Sequence, residues 1–227
     1  MLSETIMTIG SDRHTSGPVS LAQGVYGTRG NLELVACDTA DGLWVFWFNA
    51  DHPDDPLDTP DVPPGRWSAG LSFASGRRYL DAQIVQSTLG PHHLEVLARN
   101  DEGSLESWFW SPGPGFARRD TDAAASVSRF RLTHQDGVLR VDLAREDGTT
   151  AVLSSGVDGY PDRTWMPVDE PADVDDALAA ALLSRHGISD VVEGTARAAD
   201  STRRGGTIEL TWRDRSGRIR HLGLPST

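Results

Sequence analysis

Apolar and polar residues alternate in four short stretches, each followed at a fixed distance by a second apolar stretch. The first stretches open at Leu32, Leu94, Leu139 and Ile208. Leu34, Val96, Val141 and Leu210 stand two positions on, with Glu33, Glu95, Arg140 and Glu209 between them. Period-two alternation places one face of a strand in a core and the other toward polar surroundings. Turn-forming runs follow at Asp38 to Gly42, Asn100 to Gly103, Glu146 to Gly148 and Asp214 to Gly217, each ending on a glycine that can supply the positive φ of a tight hairpin. Second strands open at Leu43, Leu105, about Thr150 and Ile219, eleven residues after the first in each copy. Four related β-hairpins are therefore predicted.

The starts lie 62, 45 and 69 residues apart, and two insertions account for the irregularity. Residues 51–64 form an Asp- and Pro-rich run that reads as a loop, because proline removes backbone donors and the carboxylates repel one another. In residues 170–186, Val174, Leu178, Ala181 and Leu182 recur at helical spacing between Pro171 and Gly187, which predicts an amphipathic helix. A strand before each hairpin is expected at Val19–Val25, Asp81–Ser87, Val127–Thr133 and Ile188–Glu193. A fourth strand is expected at Arg66–Phe73, Gly115–Arg119 and Arg163–Val168. Four strands in each unit of roughly 45 to 50 residues have the dimensions of a propeller blade. The fold expected is all-β: a single domain over residues 1–227, a small β-propeller of four blades, or five if Ser68–Gln83 hides another. Residues Glu4–Ile9 would complete the last blade and remove a free edge. A calycin-like up-and-down β-barrel is the alternative.

Composition narrows the partners. A formal net charge of -12 disfavours nucleic acid and anionic membrane surfaces. All 21 basic residues are Arg, so chemistry that needs a lysine amine, such as Schiff-base formation, is excluded. The single cysteine, Cys37, cannot form an internal disulfide and reads as a buried small apolar residue. No leader-like segment or membrane-length apolar run stands out, so a cytoplasmic protein is expected.

The first two hairpins carry a resemblance. Glu33-Leu34-Val35-Ala36 running to Gly42-Leu43-Trp44-Val45-Phe46-Trp47, and Leu94 to Arg99 running to Ser104-Leu105-Glu106-Ser107-Trp108, resemble the repeats of bacterial propeller lectins of the Photorhabdus lectin type. The third and fourth copies match poorly, and members of that family normally have seven blades. The resemblance implies carbohydrate binding between blades.

Aromatic residues in the hairpins are the leading candidates for a ligand site. Trp44, Trp47, Trp108 and Trp110 could offer flat apolar faces to the C–H side of a sugar, with Glu95, Arg99 and Glu106 to bond hydroxyls; packing between blades explains the same residues. His92 and His93, adjacent before a strand, are poorly placed to chelate one ion. Asp51, Asp54, Asp55, Asp58 and Asp61 lack the glycine and spacing of a calcium loop. Gly70-Leu71-Ser72-Phe73-Ala74 only approximates a hydrolase elbow. No metal and no cofactor is expected. The function expected is non-enzymatic binding of a carbohydrate. The alternative is a small-molecule isomerase or cyclase with one deep aromatic pocket, drawing its acid and base from Glu95, Asp142, His134 or His221. Oligomeric state is not legible.

Overall fold

The computed structural model describes residues 5–225 except 57–61, 88, 91, 136, 157 and 159. After a short first strand, β1 (Met7–Ile9), the described residues form four separate four-stranded antiparallel sheets and one helix. Sheet I contains β2 (Thr15–Gln23), β3 (Asn31–Asp38), β4 (Leu43–Asn49) and β5 (Leu71–Phe73). Sheet II contains β6 (Tyr79–Gln86), β7 (Leu94–Asn100), β8 (Leu105–Ser111) and β9 (Gly115–Arg118). Sheet III contains β10 (Val127–Gln135), β11 (Val138–Arg145), β12 (Thr150–Ser155) and β13 (Met166–Val168). Helix α1 (Ala177–Arg185) follows. Sheet IV then contains β14 (Arg197–Ser201), β15 (Thr207–Arg213) and β16 (Ile219–Pro225), and β1 pairs antiparallel with β16 as its fourth strand. Four sheets, each with its own edges, rule out one continuous barrel. Residues 68–83 contribute β5 to one sheet and the start of β6 to the next, so they hold no additional sheet.

The hairpin turns explain the registers. Gly42, Gly103, Gly148 and Gly217 have φ between 79° and 85°, a conformation that glycine adopts without a Cβ clash. The residues that flank each glycine-ended turn then pair directly, Cys37 with Leu43 and Arg213 with Ile219.

Alternation on the second strand of each sheet gives it two unlike faces. Leu32, Leu34 and Ala36 of β3 pack toward sheet IV with Ile9 and Ile219. Val35 and Cys37 pack toward sheet II with Ile84, Val96 and Ala98. On β11, Leu139, Val141 and Leu143 pack toward sheet II with Leu97 and Leu105. Cys37 is buried, and burial pushes its thiol well above the ordinary range.

The passage from sheet III to sheet IV departs from the sequence expectation in two ways. First, the helix is shorter than residues 170–186. Asp173, Asp175 and Asp176 are drawn into ion pairs with Arg131, Arg129 and Arg197, and this stretch runs as an irregular strap before the first helical turn. The buried helical residues are Ala179, Leu182 and Leu183, while Leu178 is exposed. Second, the strand that precedes the hairpin of sheet IV is Arg197–Ser201 rather than Ile188–Glu193. Ile188 and Val191 instead join α1 in covering Leu210, Trp212, Leu222 and Leu224. Their apolar character serves that cover and not a strand. No helix among the described residues is long and apolar enough to cross a membrane.

Candidate functional site

The second position of each hairpin, Glu33, Glu95, Arg140 or Glu209, points away from the apolar residues beside it. It has a different set of partners in each sheet. Glu33 is buried and accepts a hydrogen bond from Asn31 Nδ2. Burial, only partly opposed by that bond, pushes its carboxyl up to about 8. Glu95 lies between Arg119 and Arg163, at 2.7 and 2.8 Å, and all three side chains are buried. Arg140 pairs with Asp142 on its own strand and Glu170 of the strap. Glu209 receives Arg203 through two bonds, Nε to Oε1 and Nη2 to Oε2, both 2.8 Å. Ser201 Oγ donates to it at 2.6 Å, and His221 Nε2 lies 2.7 Å away.

Among the described residues, the Glu209 cluster adjoins a groove whose walls include Arg203 and His221. Arg203 belongs to a 3-10 turn, Arg203–Gly205, that leads from β14 into β15. Its guanidinium lies 5.5 Å over the Phe48 ring of sheet I. Phe48 meets Trp67 at 5.4 Å, and Trp67 meets His221 edge-on at 5.4 Å. Two lobes of one groove open there, about 660 and 230 Å³ in volume, sharing Phe48, Gly65, Arg203 and Arg204. Gly223 permits the ion pair, because a Cβ on it would stand 1.8 Å from Arg203 Nη2.

Charge at the cluster follows from these contacts. Burial by itself would raise the Glu209 carboxyl, but His221 and Arg203 outweigh it and hold it at about 2. Burial lowers His221 despite the facing carboxylate. A neutral imidazole donating Nε2–H to Glu209 satisfies both tendencies, and Arg203 is then the cation that keeps Glu209 ionised. His221 Nδ1, the Trp67 Nε1–H and one oxygen of Asp51 have no protein partner among the described residues. The arrangement fixes a planar donor beside aromatic carbon, which suits a ligand with an apolar face and hydroxyl oxygens.

The residues named from sequence are spread over several seams. Trp44 donates Nε1–H to Asp38 at 2.7 Å, stacks on Phe46 and lies beneath Arg13. Trp47 pairs across the ladder with Glu33. Trp108 and Trp110 pack with Phe73 and Phe116 where sheets I and II meet. Arg99 is half-buried, with Nε lacking a protein partner. Glu106 is fully buried and accepts from Tyr79 Oη, Asn100, Arg118 and Arg77. Glu95, Glu106 and Trp44 thus have protein partners for their polar atoms. His92 and His93 face different rings, Tyr26 and Tyr160. Asp51 lines the larger lobe and Asp55 pairs with Arg29; Asp58 and Asp61 lie outside the described residues.

Sequence reasoning did not single out Arg203, Phe48 or Trp67. A signal was present: Arg stands six residues before the repeat glutamate only in the fourth copy, where Gly27, Leu89 and His134 hold the matching positions.

No family model and no curated protein matches the chain. It is similar to several solved structures at low identity. A lectin of Burkholderia pseudomallei is 14% identical, with a TM-score of 0.49 over 91% of this chain and 54% of that one. AofleA of Arthrobotrys oligospora is 11% identical, with a TM-score of 0.47 over 99% and 57%. The Aleuria aurantia lectin, described as a six-bladed β-propeller that recognises fucose, is 14% identical, with a TM-score of 0.45 over 96% and 64%. The chain spans less than two thirds of the length of each of these proteins.

Proposed function

We propose that the protein is a non-enzymatic carbohydrate-binding propeller whose four sheets are the blades of one ring, with its competent site between sheets IV and I. The buried Arg203–Glu209 pair at the wall of an aromatic-lined groove carries this reading. Glu209 uses its oxygens on Arg203, Ser201 and His221, so it orients the guanidinium. Arg203 Nη1 has no partner among the described residues and is free to donate to a sugar hydroxyl. Phe48 and Met7 supply apolar surface in the smaller lobe. The likeness of the first two hairpins to Photorhabdus-type lectin repeats points the same way.

The test is a glycan array followed by calorimetric titration of the glycans retained. Arg203→Lys keeps the charge but loses the two-pronged geometry. It should weaken binding about tenfold to a hundredfold, the range of one or two charge-assisted hydrogen bonds. A blank array, or undiminished affinity in a folded Arg203→Lys protein, would refute the proposal.

A further inference from the structure

The larger lobe of the groove is unused by the contacts just described. It is bounded by Arg29, Asp51 and Pro53 on the sheet I side and by Thr202, Arg204 and Gly205 on the sheet IV side. Its volume of about 660 Å³ lies within the range of small-molecule clefts. The smaller lobe, at about 230 Å³, joins it through shared walls, so a ligand seated in one can continue into the other.

Two side chains in the larger lobe carry opposite charges, Asp51 buried and Arg204 exposed. Asp51 is only 5% exposed, and its position is fixed: Arg29 N–H donates to Oδ1 at 2.8 Å, and Asn49 Oδ1 accepts from the Asp51 N–H at 2.9 Å. Its Oδ2 has no hydrogen-bond partner among the described residues. A buried carboxylate oxygen left without a donor is costly, which favours a donor arriving from outside. Arg204 has no ion pair among the described residues, and its backbone is left-handed at φ 54°. Gly205 and Gly206 follow it with φ of 86° and 124°, so the turn presents the Arg204 side chain to both lobes.

An anion entering the larger lobe would meet Asp51, and a cation would meet Arg204. A neutral ring with several hydroxyls meets neither objection, since each hydroxyl both donates and accepts. We infer that the larger lobe is a subsite for a second, uncharged, hydroxyl-bearing sugar residue, so the preferred ligand is a disaccharide or longer glycan. A hydroxyl of that residue donates to Asp51 Oδ2, and others accept from Arg204. The inference rests on the carbohydrate reading of the smaller lobe.

The experiment titrates the full chain with methyl glycosides of fucose, galactose, mannose, glucose and N-acetylglucosamine. Neutral disaccharides ending in each of those residues are titrated beside them. The expected result is a disaccharide preference of about tenfold over the matching methyl glycoside, the size of one hydrogen bond to a charged group. Asp51→Asn, which presents an amide donor or a weaker acceptor, and Arg204→Gly, which suits the left-handed backbone, should each bring that ratio toward one. Equal affinities for a methyl glycoside and its disaccharides, or a preference untouched in both variants, would overturn the subsite while leaving the carbohydrate reading intact. Absence of binding by any saccharide would overturn the carbohydrate reading itself.

Discussion

Glu95 and Glu209 occupy the same place in two hairpins and face the following sheet in the same way, yet one is sealed and the other adjoins a groove. Glu95 is enclosed by Arg119 of its own sheet and Arg163 of sheet III, with Arg119 also lying over Phe109 and Tyr160. Both cations are about 1% exposed. Glu209 receives one Arg from a turn of its own sheet, and what comes across the seam is the aromatic surface of Phe48 and Trp67. A repeated carboxylate is therefore a shared starting point. Its use is set by what the neighbouring sheet brings to it.

Perturbing each cluster in turn tests that contrast, and the largest effect is expected at the sealed one. Glu95→Gln leaves two buried guanidinium groups without their countercharge, which should cost about 3 to 5 kcal/mol in urea unfolding. Little loss of stability would show that the Glu95 cluster relaxes or hydrates freely, and the contrast with Glu209 would fail.

A second effect comes from Glu33, the buried relative that has no ion pair among the described residues. Its carboxyl rises from 4.5 to about 8, so the folded chain keeps a proton that the unfolded chain has released above about pH 4.5. The associated stability is complete below about pH 4.5 and falls away as pH rises through about 8. Glu33→Gln should remove that slope, making the variant more stable than the parent by roughly 2 to 4 kcal/mol at pH 8. Parallel stability curves for the two proteins from pH 5 to pH 8 would contradict the assignment.

The smallest effect concerns the open site alone. Gly223→Ala puts a methyl group where Arg203 Nη2 lies, 1.8 Å from the ideal Cβ position. The guanidinium must tilt away from Glu209. Saccharide affinity should fall about tenfold, equivalent to ~1.4 kcal/mol, with a smaller change in stability. Unchanged affinity would mean that the Arg203 geometry is not what the ligand reads.

The hairpins were legible because period-two alternation and a terminal glycine act over a few residues and leave a local trace. The first strands from Leu32, Leu94, Leu139 and Ile208, and the second from Leu43, Leu105, Thr150 and Ile219, all lie in strands of the fold. What failed to show was set by distant contacts. The segment holding Ile188 and Val191 looks like a strand in isolation, but its apolar residues cover Leu210 and Trp212. The short sequence Arg197–Ser201 lacks apolar alternation and is nevertheless the edge strand of sheet IV, paired with β15. The groove was hidden for a similar reason: Phe48 and Arg203 meet only after β1 and β16 have completed the last sheet beside the first.

The strap between sheets III and IV gives the molecule unequal joints. Sheets I, II and III meet through greasy contacts, as do IV and I, whereas Arg129, Arg131 and Arg140 grip the strap through Asp175, Asp173 and Glu170 at its exposed margin. Exposed ionic grips weaken as added electrolyte shields them, while apolar contacts do not. Brine should loosen this junction first, giving the molecule a built-in place to part.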